Sequence, residues 1–227
     1  MSSTDEQLAD TRDMYMVHTM FRREFGLMPS LVRGVPAGDL DRVRIVAEHF
    51  ELVSTILTHH HHAEDAHLWP KLLDRVPDEA TSVAETMESQ HAVIGKLDSE
   101  LATAFGTWRG TGDPASREAL ATLLDELVAA LTEHLATEEA QALPLIEKHI
   151  TATEWTNMVQ AEAVDTAPED MPLIFGLMMY EGDPELIDEV ISHLPPEVGS
   201  MLKPLGAQAF EAHAQLVYGT ATPPRGF

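Results

Sequence analysis

Histidine and glutamate residues recur in this sequence at spacings that suit metal binding. The 227 residues include twelve histidines and no cysteine, which excludes disulfides, thiol catalysis and cysteine-based zinc or iron–sulfur sites. Two histidines are followed four residues later by a glutamate, in the pairs His60–Glu64 and His134–Glu138. Residues four apart share one face of a helix, so each pair would present an imidazole and a carboxylate side by side.

His18 and His91 complete this set of candidate ligands. Apolar residues flank all four histidines at steps of three and four, which predicts that each histidine lies on the buried stripe of a helix. Buried polar groups without partners cost roughly 2–7 kcal/mol each. A cation removes that cost because it coordinates the lone pairs and neutralises the carboxylates. Six side chains therefore predict a metal site: His18, His60, Glu64, His91, His134 and Glu138.

Long helices must carry these residues. Breaks rich in glycine and proline at residues 34–38, 76–78 and 110–114 separate four segments with helical periodicity, which end near residues 33, 75, 107 and 149. Asp39 and Asp113 are predicted to cap the second and fourth segments. Short connections favour antiparallel neighbours, so the predicted fold class is all-α, an up-and-down four-helix bundle.

The spacing of the four histidines also predicts that they meet. In an antiparallel pair of helices, residues at equal height are equidistant from the connecting turn. The mean positions are 39 for His18 and His60, 75.5 for His60 and His91, and 112.5 for His91 and His134. Each mean falls on or beside one of the three breaks. The four imidazoles should therefore lie at one level of the bundle.

Residues 151–227 are predicted to form an appendage of short helices, so the expected domains are 1–150 and 151–227. Prolines interrupt this part at positions 168, 172, 184, 195, 196 and 204. We expect the apolar stretch Leu173–Met179 to cover the bundle, the mouth of a cavity or a second subunit, the last of which would make a homodimer. Residues 222–227 are expected to form a loose tail.

The donor set limits the choice of metal. Imidazole and carboxylate ligands in a four-helix bundle suit iron, manganese or zinc. Six ligands exceed the four of a single structural zinc, and Glu64 and Glu138 could bridge two ions. A pair of iron ions is the simplest interpretation. The Glu-x-x-His spacing of ferritin-like proteins also occurs here, but on adjacent helices, which disfavours that architecture.

The motifs resemble the hemerythrin or HHE-domain family over about residues 10–150. The resemblance rests on His18, on the run 59–70, on His91 and on the run 134–144. It implies a non-haem diiron centre with an oxygen bridge. The implied ligands are His18 and His60 for one iron, His91 and His134 for the other, and, as bridges, Glu64 and the carboxylate that follows His134.

Two positions depart from the family pattern. Oxygen-carrying hemerythrins place a second histidine one turn after the third-helix ligand, where this chain has Gly95. They place aspartate five residues after the fourth-helix histidine, where this chain has Glu139. Glu139 is thus an alternative to Glu138, which lies on the inner stripe. Three other donors are candidates for the position left open: Tyr15, His67 and His213. Of the run 59–62, only His60 is predicted to face inward as a ligand, with His61 a candidate to support the ligands from outside.

The resemblance and the open position imply reaction with a small ligand, namely O₂, H₂O₂ or NO. Peroxide decomposition or another redox turnover is favoured over O₂ carriage, which requires a fully ligated partner iron. No residue beyond the metal ligands suggests a catalytic role, so an enzyme activity would be catalase-like or that of an oxidoreductase. The alternatives are a sensor of iron or oxygen, whose C-terminal segment signals the metal state, and a metal-stabilised structural protein.

Charge and hydropathy disfavour nucleic acids and membranes as partners. Fourteen Lys and Arg oppose thirty-eight Asp and Glu, and the resulting net charge of −24 disfavours nucleic acid and anionic lipid surfaces. The longest apolar run is too short to span a bilayer, and the N-terminus lacks the features of a signal peptide. These features predict a cytoplasmic protein.

Overall fold

The computed structural model describes residues 7–163, 167, 169–192 and 194–226, and only the backbone of residues 160–163. The helices of the described chain are α1 (Arg12–Arg33), α2 (Leu40–His67), α3 (Trp69–Arg75), α4 (Pro77–Thr111), α5 (Pro114–Thr137), a π-helical turn (Glu138–Ala142), α6 (Leu143–His149), α7 (Ala152–Ala163), α8 (Met171–Met179), α9 (Pro184–Ser192) and α10 (Pro196–Tyr218). The only β pairing among these residues is an isolated bridge between Leu8 and Thr151. The predicted all-α fold class is confirmed.

Capping aspartates begin two of the bundle helices. The Asp39 carboxylate accepts a hydrogen bond from the Arg42 amide at 3.0 Å, and Asp113 accepts from the Ala115 and Ser116 amides at 2.9 and 3.0 Å. These bonds satisfy amides that have no partner within the helix. Both predicted caps are confirmed. The first helix, α1, begins at Arg12, and the Ala9 amide before it donates to the Ile150 carbonyl at 2.9 Å.

Two of the predicted continuous segments are interrupted, each just after a His–Glu pair. The second segment breaks at Leu68, and Pro70 lies in the first turn of α3. The fourth contains the π-helical turn, in which the Leu143 amide bonds to the Glu138 carbonyl five residues back, immediately before Pro144. Proline has no amide hydrogen with which to continue the regular pattern, which accounts for the position of both interruptions.

Two apolar clusters fill the bundle, and the candidate ligands lie between them. The larger cluster includes Phe25, Phe50 and Trp108, whereas the smaller includes Trp69 and Ile146. Along each bundle helix the chain passes from one cluster to the other at a histidine: His18, His60, His91 and His134. The histidines therefore form a polar layer within an otherwise apolar interior.

The C-terminal helices pack directly on the bundle. Leu177 of α8 and Phe210 of α10 are members of the larger apolar cluster, so the stretch 173–179 covers the bundle itself. The two helices approach closely at Gly176, where a Cβ atom would lie 2.2 Å from the Gly206 carbonyl oxygen. The division into two domains stays a prediction.

The expectation of a loose C-terminal tail is wrong for the residues up to Gly226. The Tyr180 hydroxyl donates to the Pro223 carbonyl at 2.8 Å, and the Arg225 guanidinium lies 4.1 Å from the centre of the Tyr180 ring. The Gly226 amide donates to Glu181 at 2.9 Å. Tertiary contacts of this kind leave no periodic signal in the sequence.

Within the described ranges, each helix is too short or too polar to cross a lipid bilayer.

Candidate metal centre

Five imidazoles and two carboxylates converge in the polar layer. Each of these residues is at most 8% exposed: His18, His60, His61, Glu64, His91, His134 and Glu138. The ring centres of His18 and His60 lie 5.7 Å apart, and those of His91 and His134 lie 4.7 Å apart. The structure thus brings together all six side chains that the sequence singled out, at one level of the bundle.

The donor atoms form three groups of three, two of which have no residue in common. His18, His60 and Glu138 supply ligand atoms within 4.8 Å of one another. His61, His91 and His134 form a second group by the same measure. The third group, Glu64, His134 and Glu138, shares one residue with each of the other two. The layer therefore offers two separate sets of three donors, and a third set overlaps both.

The two carboxylates contact imidazoles of both groups. The oxygens of Glu64 are 3.3 Å from His60 Nε2 and 3.4 Å from His91 Nε2. Glu138 Oε2 is 3.3 Å from His18 Nε2 and 3.7 Å from His134 Nε2. Each carboxylate thus faces one imidazole of each group, which is the arrangement that a bridging ligand requires.

Polar side chains outside the layer orient three of the rings. The contacts are His18 Nδ1 with Glu139 Oε1 at 2.9 Å, His91 Nδ1 with Asp65 Oδ1 at 3.0 Å, and His134 Nδ1 with Gln90 Oε1 at 3.3 Å. Each partner atom is an acceptor, so a neutral ring places its proton on Nδ1. The lone pair of Nε2 then points into the layer, as metal-binding histidines require.

Glu138 and Glu139 have different places in the structure. Both belong to the π-helical turn, but Glu138 is fully buried within the layer, whereas Glu139 faces α1. Glu139 Oε1 contacts the outer nitrogen of His18 and accepts from Arg22 Nη1 at 2.8 Å. Of the two alternatives, Glu138 therefore occupies the interior position and Glu139 supports the ring of His18.

Burial and mutual contact set the protonation of the layer. Burial, reinforced by the neighbouring histidines, lowers the pKa of His61 well below its ordinary value and that of His134 to about 3. Burial alone would raise the pKa of Glu138, but His18 and the other imidazoles lower it to about 2. Burial also opposes protonation of His18, yet ion pairs with Glu138 and Glu139 outweigh it and raise the His18 pKa. A proton and a cation therefore compete for His18 Nε2.

Several donor atoms of the layer lack hydrogen bonds. Among the described residues, no group of suitable geometry bonds to Nε2 of His18, His61, His91 or His134, or to either carboxylate oxygen of Glu138. Each unsatisfied buried group costs about 1–3 kcal/mol. A cation coordinated by these atoms would remove that cost, so the chemistry of the donor set fits a metal.

His61 is the site residue that sequence reasoning missed. The prediction that only His60 of the run 59–62 faces inward is wrong, because the His61 ring is 6% exposed and stacks on His91 at 4.1 Å. Successive helical residues point about 100° apart. His60 can therefore face α1 while His61 faces α4. The available signal was the run of four histidines at 59–62 together with Gly95 in place of a histidine.

The other candidates do not reach the layer. Tyr15 is 45% exposed, and His67 is exposed at the end of α2. His213 Nε2 lies 3.0 Å from His49 Nδ1. His49 precedes His60 by eleven residues of α2, which corresponds to about 16 Å along the helix. These three side chains therefore lie outside the site.

A family model described as the hemerythrin HHE cation-binding domain matches residues 10–146. The chain belongs to the hemerythrin HHE family. The matched region of this HHE protein runs from α1 into α6 and contains every side chain of the polar layer. No curated protein and no solved structure matches the chain. The cation-binding character of the HHE domain agrees with the histidine and glutamate groups, and the protein has the donors of a metal-binding site.

Proposed function

We propose that the polar layer holds two non-haem iron ions and that the protein reacts there with O₂, H₂O₂ or NO, with peroxide decomposition favoured over O₂ carriage. The observation that carries this proposal is the pair of donor groups joined by two carboxylates. Nitrogen and oxygen donors suit iron, and seven donors in one layer exceed the need of a single tetrahedral zinc.

The donor count indicates where a small ligand would bind. The group of His61, His91 and His134 contains three imidazoles, whereas the group of His18 and His60 contains two. His61 would thus supply the third imidazole, in place of the histidine that oxygen-carrying hemerythrins have where this chain has Gly95. On this proposal, the open position belongs to the ion held by His18 and His60. Bound iron would supply the change between ferrous and ferric states that redox turnover needs.

The remaining side chains would prepare the layer for this chemistry. Apolar clusters on both sides exclude bulk water, which strengthens the interaction between donors and cations. Glu139, Asp65 and Gln90 hold three rings with Nε2 inward. Outside the metal ligands, we assign no residue a role in bond making or breaking.

Iron loading followed by peroxide addition tests the proposal. The iron-loaded protein should show the absorption of a coupled diferric pair and should convert H₂O₂ to water and O₂. The variant His134→Ala should lose both properties, whereas His213→Ala, which changes a histidine outside the layer, should keep them. A colourless zinc protein, or an iron protein that leaves peroxide intact, would contradict the proposed reaction.

A sensor is the second candidate, and one contact network favours it. Arg23 of α1 donates to the Leu177 carbonyl at 2.7 Å, and His49 of α2 contacts His213 of α10. The same two helices carry His18 and His60, so metal loss could loosen the C-terminal helices. Limited proteolysis with and without a chelator would test this. Faster cleavage within residues 151–227 on metal loss would favour a sensor, and unchanged cleavage would count against it.

A further inference from the structure

A pocket of about 280 Å³ lies between α2 and α4, beside the group of three imidazoles. Its floor is buried, and most of its rim is exposed. The floor consists of Leu57, His61, His91 and Ile94, and the rim includes Thr58, His62, Asp65, Glu88, Gly95 and Asp98. The pocket therefore connects the protein surface with two of the buried imidazoles.

The lining of the pocket is suited to cations. Asp65, Glu88 and Asp98 contribute carboxylates, and the lining contains no lysine or arginine. His61, on the floor, is 6% exposed, and its Nε2 has no hydrogen-bond partner within the described part of the chain. An acidic rim thus leads to a buried donor with a vacant lone pair. Clefts lined by one sign of charge concentrate ions of the opposite sign.

The volume of the pocket fits a hydrated ion. A cavity measured by the space open to water centres needs about 10–15 Å³ to hold one water, so a pocket of about 280 Å³ has room for a divalent cation and its first shell of waters. Gly95 lines this space, and a Cβ atom at that position would meet nothing within 4 Å. A larger side chain there would project into the opening.

We propose that this pocket is the route by which hydrated divalent cations enter and leave the buried layer, with His61 as the first imidazole to receive them. The inference rests on the proposed metal centre. An ion beside the pocket would be held by three imidazoles, whereas the proposed open position is at His18 and His60, which do not line the pocket. The acidic rim therefore serves metal exchange in preference to oxidant entry.

A leucine at position 95 tests the route by filling it. Chelator-treated Gly95→Leu protein should take up Fe²⁺ at least about tenfold more slowly than wild type, because packed side chains leave no passage for a hydrated ion. The final iron content should be unchanged, and release of iron from the loaded protein to a chelator should slow by a similar factor. Gly106→Leu is the matched control, since a Cβ at Gly106 also meets nothing within 4 Å but the residue lies three turns further along α4.

A charge variant tests the rim. Glu88→Gln should slow Fe²⁺ uptake on the order of two- to fivefold at low ionic strength, with little effect at high salt. Glu85→Gln removes the same charge from an exposed position of α4 outside the pocket, and it should load at the wild-type rate.

The outcomes separate this inference from the proposed centre. If wild-type protein binds no iron, the proposed centre fails and the route fails with it. If wild type loads and Gly95→Leu loads equally fast, only the route is overturned. Unchanged iron uptake with slower peroxide consumption in Gly95→Leu would also overturn it, because the pocket would then admit the oxidant and not the cation.

Discussion

Two buried clusters of histidine and glutamate lie about three helical turns apart along α2, and they are built in opposite ways. The polar layer contains Glu64, Glu138 and five imidazoles. The second cluster, which we call the distal network, consists of Arg23, Glu24, His49, His213 and Tyr218 and joins α1 and α2 to α10. Each contains at least one fully buried carboxylate, so burial of these residue types does not by itself distinguish a metal site from a structural contact.

The distal network supplies its own counter-charge. Arg23 Nε donates to Glu24 at 2.6 Å, the Tyr218 hydroxyl donates to the same carboxylate, and His49 Nε2 lies 3.1 Å from it. Burial would raise the pKa of Glu24, but His49 and Arg23 lower it to about 2. Arg23 also bonds to Glu181 at 2.9 Å. A buried charge of this kind is satisfied within the protein.

In the polar layer, Glu138 has no comparable set of charged and hydrogen-bonding partners. Among the described residues, the ion pairs of Glu138 are with His18 and His134, and neither of its oxygens has a hydrogen bond of suitable geometry. Imidazole lone pairs and carboxylate oxygens face one another, and both kinds of atom can coordinate a cation. The comparison teaches that buried donor atoms without hydrogen-bond partners indicate a metal site more strongly than buried histidines do.

The largest expected difference between the two clusters is in metal content. His134→Ala removes a donor of the layer and should lose at least one ion per chain, because the remaining donors no longer surround two cations. His213→Ala makes the same chemical change in the distal network and should retain both ions. Elemental analysis of both purified proteins, with circular dichroism as a check on folding, would measure this. Equal metal loss in the two variants would contradict the proposal that the layer binds metal and the distal network does not.

A smaller effect is expected from a residue that contacts the layer from outside. Glu139→Gln keeps a hydrogen-bond acceptor for His18 Nδ1 but removes the charge. Loss of such an outer partner typically weakens metal affinity by about 10- to 100-fold, and we expect the lower end of that range. Competition with a chelator of known affinity would report it. Glu133→Gln, on the exposed side of α5, is the control, and an equal change there would show a general charge effect.

The smallest effect concerns the pH dependence of stability. Burial and the nearby His49 lower the pKa of His213 to about 4. The unfolded chain, with its ordinary histidine value near 6.5, therefore binds the proton first, and stability falls as pH falls from about 6.5 to about 4. His213→Gln should reduce this acid loss by about 1–2 kcal/mol. Denaturant unfolding at pH 7 and pH 5 would reveal it, and parallel profiles for wild type and variant would refute the assignment.

Spacing alone predicted the meeting of the four histidines, because the chain turns are marked by glycine and proline and antiparallel helices pair residues symmetrically about a turn. The contact of Glu139 with His18 could not be predicted, since Glu139 lies in a π-helical turn that regular helical spacing does not anticipate. His61 was missed because periodicity selects one residue per turn, whereas α2 contacts helices on two sides. The distal network joins residues up to 194 positions apart, as in Tyr218 and Glu24, and no local pattern reports such contacts.

Anomalous diffraction at the iron edge from crystals of the iron-loaded protein tests the central claim most directly. We predict two peaks within the bundle, one surrounded by His18, His60 and Glu138 and the other by His61, His91 and His134. Density for neither ion in the layer, or iron bound only in the distal network, would contradict the account.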